Sequence, residues 1–372
     1  FLGTAPAAVL PLFAAPAAAA PAAPVSIGRC PDYGTALTPT LKTMFDQLGG
    51  LSRLVAGKTV AIKINMTGSP LQRLGNTPCE LAQYTHPAVV GSVVRLMGEA
   101  GARRIRVVEG CFACDDPMEE FLIEAGWDPS PLLNAAAHVD MENTNTLGKG
   151  RKYARFQTPN GGHIFPSIMM NHSYEECDVL VSLAKLKEHA TCGVTLSMKN
   201  MFGATPLTIY GDHAAKDDAD EATARGGRGT IMHAGMRQLA AIAEPERDPK
   251  SPRADKWRMP RIVADIAAAR PIHLQIIDGI YTMTGGEGPW NGRHLRAVRP
   301  GILIAGTNAV CTDAVGTAVM GFDPMAERGT APFERCDSSL KLAEMHGVGT
   351  RDLSRIEVIG IPVKDALFRF RV

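Results

Sequence analysis

Lys185, Lys187 and His189 stand at alternate positions directly after an apolar run, Val179–Leu183. In extended chain a period of two places all three side chains on one face. Thr191, Thr195, Ser197, the Lys199–Asn200 pair and Gly203 come next within one short stretch. A lysine inside a core must be paired or must lose its charge. The pattern therefore suits one of two settings. One is a solvated edge strand whose lysines deter aggregation. The other is an anion site at the carboxyl end of a buried strand, where open α/β sheets hold ligands. In the second setting lysine and asparagine bind phosphate or carboxylate, and a crowded lysine of lowered pKa serves as base or nucleophile.

Other predicted strands also end in polar groups: Lys63 and Asn65, Glu109, and Asp278. A crevice past these ends would be a site of mixed charge. Its expected catalytic groups are Lys187, His189 and Asp278, and its expected anion-binding groups are Lys63, Asn65, Lys185, Lys199, Asn200 and Arg228. Glu109 and Asp313 are candidate ligands for a divalent metal. Asp313 has a plainer explanation, because an acid in the first turns of a helix favours the positive end of its dipole. Arg228, flanked by glycines, either closes over an anion or is a solvated loop charge. The loop Gly285-Gly286-Glu287-Gly288-Pro289 lets backbone N–H groups approach a ligand but lacks the ending of a nucleotide P-loop.

The elements that must position these groups alternate strand and helix. Lys58–Asn65 reads as a buried strand, Thr85 as the cap of a helix running to about Ala100, and Arg104–Glu109 as a second strand in one β–α–β unit. Lys152–Gln157 and His163–Ile168 read as a hairpin turned at Asn160-Gly161. Asp178–Leu183, His273–Asp278, Gly301–Gly306 and Arg355–Ile359 supply further strands, while Arg261–Ala269, Ala309–Met320 (capped by Asn308) and Ser338–Met345 supply helices. The expected architecture is an α/β fold, with a parallel-rich mixed sheet flanked by helices and a site at the strand carboxyl ends. Residues 25–372 form a single domain with candidate lobes 57–205 and 260–362, separated by a polar, mobile excursion over 210–259.

With 45% apolar and 21% charged residues the composition is that of a globular protein, and a net charge of +1 gives no basic field for nucleic acid or a membrane surface. Residues 1–24 are uncharged and rich in alanine and proline, too broken for a membrane span but suited to an export signal. Phe1-Leu2-Gly3 resembles the residues just after the paired arginines of a twin-arginine signal, so periplasmic work is expected, with no membrane span in the mature chain. Eight cysteines lie beyond this segment. Cys30 and Cys79, in loop-like sequence, are candidate disulfide members, and Cys311 suits a small core residue. Cys111-Phe112-Ala113-Cys114 is a C-x-x-C that admits a local disulfide or free thiols, a redox dithiol or half a metal site. No second such motif accompanies it, so a complete iron–sulfur ligand set is not evident.

The segments KLKEH (185–189) and MKNMFG (198–203) resemble domain-of-unknown-function family 362. The likeness extends to AIKIN (61–65), THPAVVGSVV (85–94), Asp278–Gly279, Gly288–Pro289 and IAGTNAVCTD (304–313), in the family's order. It implies architecture more than activity, since the family name carries no reaction. It also implies a basic residue and then a histidine after the central stretch, matched by Arg228 and His233, and gives His86 a place in the pattern. Ferredoxin-like cysteine clusters appended in some members have no counterpart here. The expected function is an exported enzyme acting on an anionic small molecule, with a divalent metal as a candidate cofactor. The rival readings are a non-catalytic ligand-binding or accessory protein and a thiol redox protein using Cys111 and Cys114.

Overall fold

A computed structural model describes residues 19–214, 226–236, 240–292 and 294–371. Residues 1–18 of the expected signal over residues 1–24 therefore lie outside the described residues, as does part of the 210–259 excursion.

Eight strands form one sheet: β1 (Val25–Arg29), β2 (Thr59–Lys63), β3 (Arg104–Glu109), β4 (Val139–Asn143), β5 (Val179–Lys185), β6 (Leu274–Gly279), β7 (Ile302–Gly306) and β8 (Val358–Gly360). Their spatial order is β8-β1-β7-β6-β5-β2-β3-β4. Strands β6, β5, β2, β3 and β4 run parallel to one another, whereas β7 is antiparallel to both β6 and β1. The sheet is mixed and mostly parallel, as expected. The two candidate lobes are halves of this one sheet, joined where β5 pairs with β6 from Val181↔Leu274 to Lys185↔Asp278.

Both faces are covered, which is why β5 is buried at all seven positions and reads as a continuous apolar run. On one face Val60, Ile62, Val107, Val181 and Leu183 pack against α1 (Leu37–Gln47) and α2 (Pro87–Glu99). On the other, Ala61, Val108 and Leu180 meet α3 (Asp255–Ala269), and Ala184, Ile277 and Ile304 meet α4 (Ala309–Val319).

Several boundaries differ from expectation for local reasons. The cap of α2 is His86, whose Nδ1 accepts from Ala88 N at 3.1 Å, with Pro87 in the first turn. Thr85, the expected cap, instead donates from Oγ1 to Leu183 O at 2.9 Å and ties the helix start to β5. Helix α3 begins at Asp255, inside the expected excursion, and carries Pro260 within it. Asn308 caps α4 as expected, accepting from Cys311 N. All eight cysteines are free thiols. Cys30 donates to Asp32 O and Cys79 to Pro70 O, so neither forms the disulfide expected of it.

Asp265 fastens the hairpin side to α3. Its carboxylate accepts from the backbone N–H groups of His163, Ile164 and Phe165 at 2.6, 2.7 and 3.0 Å, and lies 3.0 Å from His346 Nε2. Asp265→Ala would leave three amide donors without an acceptor, and a loss of about 3 kcal/mol or more in urea unfolding is expected. A change under about 1 kcal/mol would show that water replaces the carboxylate there.

Candidate functional site: a lysine-rich cavity at the sheet switch point

The chain leaves β2 outward through β3 and β4, and leaves β5 in the opposite direction through β6. The gap between the carboxyl ends of β2 and β5 is therefore a topological switch point, where open sheets place ligands. A cavity of about 220 Å³ lies there. Its wall includes Lys63, Asn65, Glu109, His189, Lys199, Asn200, Arg228, His233 and Glu287.

Asn200 closes the floor of the gap. Its Nδ2 donates to Lys63 O and Ser182 Oγ, both at 3.0 Å, and its Oδ1 accepts from Asn65 Nδ2 at 3.2 Å. One side chain thereby stitches the two diverging strands. Gly203 makes the close approach that this packing needs: a Cβ there would sit 2.8 Å from Glu109 Oε1 and 2.9 Å from Lys63 Nζ.

Three lysines at the strand ends are buried and saturated. Lys63 Nζ faces Glu109 Oε1 at 2.5 Å, Ile64 O at 2.8 Å and Asn200 Oδ1 at 3.4 Å. Lys185 Nζ donates to Asp278 Oδ2, Glu80 O and Tyr33 Oη at 2.9–3.1 Å. Lys187 Nζ donates to Gln83 O, Glu287 O and Asn65 Oδ1 at 2.7, 3.1 and 3.2 Å. An ammonium has three protons and each of these has three acceptors. Burial lowers all three pKa values; Glu109, Asp278 and Glu287 respectively oppose the shift.

Lys199 differs. Its ammonium has no hydrogen bond or ion pair among the described residues and rests over the Phe202 ring, 4.4 Å from the centroid. Burial lowers its pKa against the opposing pull of Cys192 and Glu287, and Arg228 and Lys63 add like-charge pressure. Among the described residues Arg228 bonds only to neutral acceptors: Thr205, Asn145 Oδ1 at 3.0 Å and Gly203 O at 3.4 Å. Burial brings its pKa down to about 10. The wall thus carries two cations, Lys199 and Arg228, without a bonded carboxylate among the described residues.

His189 Nδ1 accepts from Thr191 N at 3.1 Å, so in the neutral ring the proton sits on Nε2 and that nitrogen is a donor. Burial lowers the pKa of His189 to about 3 and that of His233 to about 4. Burial would raise Glu287, but His189, the Ala190 amide and Trp290 Nε1 outweigh it and hold the carboxylate at about 2.

The expected site residues thus fall into two groups. Lys63, Asn65, Glu109, His189, Lys199, Asn200 and Arg228 meet at the cavity; Lys185, Lys187, Asp278 and Asp313 are not in its wall. Asp278 is enclosed by Lys185, Tyr33 and the amides of His86 and Ile280. Asp313 accepts from Ser197 N at 2.8 Å and Met198 N at 2.9 Å, and burial pushes its carboxyl up to about 7. Glu109 is engaged by Lys63, Met66 N and Gly110 N, so it and Asp313 do not converge as a pair of ligands. Among the described residues, metal-type donors gather instead at His163, Asp265 and His346, where backbone amides already occupy the carboxylate. Glu287, Phe202 and Trp290 join the site without having been expected there. The glycine loop around Glu287 is the available signal for it, whereas nothing local marks the two aromatics.

The chain matches the model of the family described as "Domain of unknown function (DUF362)" over residues 60–318. It belongs to that family. A thylakoid-associated protein of Synechocystis sp. is 25% identical over 325 residues, spanning 86% of this chain and 82% of that protein. The match to a crystal structure of a Thermotoga maritima protein covers 66% of this chain and 52% of that chain, at 12% identity and a TM-score of 0.33. No described helix is long and apolar enough to cross a membrane.

The neutral burial of His233 has a pH signature in this family member. Its folded pKa is about 4 against an ordinary 6.5. Between those values the unfolded state binds more protons, so stability falls as pH drops through that window. His233→Gln removes the contribution, and its unfolding free energy should fall less than wild type's between pH 7 and about 4.5. Parallel losses in both proteins would contradict a buried neutral imidazole.

Proposed function

We propose that this protein is an enzyme acting on an anionic small molecule, a phosphate or carboxylate compound, held in the cavity at the switch point. One observation carries the reading. Three buried lysines each have three acceptors from the protein, while the Lys199 ammonium on the cavity wall has none among the described residues. An anion there would complete the set, with Arg228 beside it and neutral His189 as a hydrogen-bond donor. A neutral imidazole donor can polarise a carbonyl or phosphoryl oxygen and deliver a proton to it.

A second reading is a binding or accessory protein without chemistry. It is favoured by the distance of Lys187 and Asp278, both expected to be catalytic, from the cavity wall. Export is proposed as well, on the uncharged alanine- and proline-rich residues 1–24. A periplasmic site of action fits that segment, and the thylakoid association in the relative's name fits work at or near a membrane system. Recovery of the native protein only in the cytoplasmic fraction would count against it.

The test is calorimetric titration with inorganic phosphate and with succinate. A charge-assisted hydrogen bond is worth roughly 1.5–3 kcal/mol, so Lys199→Ala should weaken binding by about 10- to 150-fold. Unchanged affinity would remove the basis of both readings. Turnover of phosphate or carboxylate esters by wild type, lost in His189→Gln with phosphate binding kept, separates enzyme from binder.

A further inference from the structure

The cavity chemistry leaves the Cys111-Phe112-Ala113-Cys114 segment unused. It comes directly after β3, with Phe112 and Ala113 in the cavity wall. Asn145 Nδ2 bonds the carbonyl oxygens of both Cys111 and Cys114, so the two residues lie side by side around one amide. Cys111 is fully buried, and Cys114 alone of the eight cysteines is not buried. A nucleophilic thiol that solvent can reach and a sheltered partner behind it are the two parts that thiol–disulfide exchange needs.

The backbone around the pair is clamped from the end of β4. Asn145 Nδ2 donates to Cys111 O at 2.5 Å and Cys114 O at 3.0 Å. Asn143 Nδ2 donates to Cys114 O at 3.1 Å and Asp116 O at 2.8 Å, and lies 3.8 Å from Cys114 Sγ. Asn143 Oδ1 accepts from Cys111 N. Two asparagines thus hold both cysteines at their backbone, while Ala113 between them takes a left-handed conformation at φ 55°. That conformation costs a non-glycine residue free energy and persists only where its surroundings impose it.

We propose that Cys111 and Cys114 form a thiol–disulfide exchange site that reacts with a low-molecular-weight disulfide. The Cys114 thiolate attacks one sulfur of the disulfide R–S–S–R, forming a mixed disulfide at Cys114 and releasing one thiolate, RS⁻. The Cys111 sulfur then attacks Cys114 Sγ and expels the second RS⁻. The two protons lost by the cysteines pass to the two leaving thiolates. The balance is one R–S–S–R reduced to two R–SH and one dithiol oxidised to a disulfide. The Cys114 pKa is lowered, chiefly by the Cys111 hydrogen bond, and the Cys111 pKa is raised by burial, which agrees with those roles. This site is independent of the anion reading, because its chemistry needs neither Lys199 nor Arg228.

The test uses the reduced full-length chain and oxidised glutathione, with mass spectrometry of intact protein and peptides as the readout. The expected product is loss of two hydrogens, located in a peptide that links Cys111 to Cys114. In Cys111→Ser the reaction should stop at a glutathione adduct on Cys114; in Cys114→Ser, Cys111 should stay unmodified. Alkylation of the folded wild type should reach Cys114 at least about tenfold faster than any other cysteine. That last measurement needs no variant to fold. The proposal is overturned if the folded chain forms no adduct or disulfide at this pair while the urea-unfolded chain does. It is overturned equally if Cys111 reacts as fast as Cys114.

Discussion

A buried ammonium must be given three acceptors, and this requirement organises the end of the sheet. Lys63, Lys185 and Lys187 come from two neighbouring strands and the segment after one of them, and each takes acceptors from other parts of the chain. Lys63 draws on β3 through Glu109, Lys185 on β6 through Asp278, and Lys187 on the glycine loop through Glu287 O. Removing water from such a charge costs several kcal/mol, and only complete pairing offsets it. The consequence is a fixed frame: elements distant in sequence are held in register by the lysines they surround. The frame then presents Lys199 and Arg228 to a cavity without giving either a bonded carboxylate.

That arrangement divides the positive groups by task. Saturated lysines build the frame, and the unsaturated one is available to a ligand. The same division applies to the carboxylates. Glu109, Asp278 and Asp313 accept from ammonium or amide groups on the frame, and the Glu287 carboxylate accepts from Ala190 N, Trp290 Nε1 and Asn291 Nδ2. The histidines of the wall are kept neutral by burial, so they add donors without adding charge. An anionic ligand would enter a site whose hydrogen-bond geometry is already set, which lowers the reorganisation needed on binding.

Much of this is legible in the sequence because strand ends are marked by a change from apolar to polar residues. Lys63, Glu109, Lys185 and Asp278 stand out that way, and the alternation of strands and helices points to the mixed α/β sheet. The alternation does not say which lysine faces a cavity. Lys185 and Lys187 lie two residues apart, yet they draw on Glu80 O and Gln83 O, in a short helix and at its end, more than a hundred positions earlier. Strand β1 is not marked in the sequence, because Val25–Arg29 is short and adjoins the alanine- and proline-rich start. The candidate lobes within the single domain are read from the polar stretch between β5 and β6, and those two strands pair in one sheet. The His86 cap and the early start of α3 turn on single side chains and tertiary packing, which propensity does not record.

The most direct measurement is the ionisation of Lys199 itself, tracked by ¹⁵N NMR of its side-chain nitrogen with and without phosphate. The account predicts a pKa below the ordinary lysine value in the free protein, moving upward when phosphate binds. The free-protein shift arises from desolvation of the half-buried ammonium, which outweighs the opposing pull of Cys192 and Glu287, with Arg228 and Lys63 adding to it; the upward movement arises because an anion favours the charged form. An ordinary lysine pKa that phosphate leaves unmoved would contradict it.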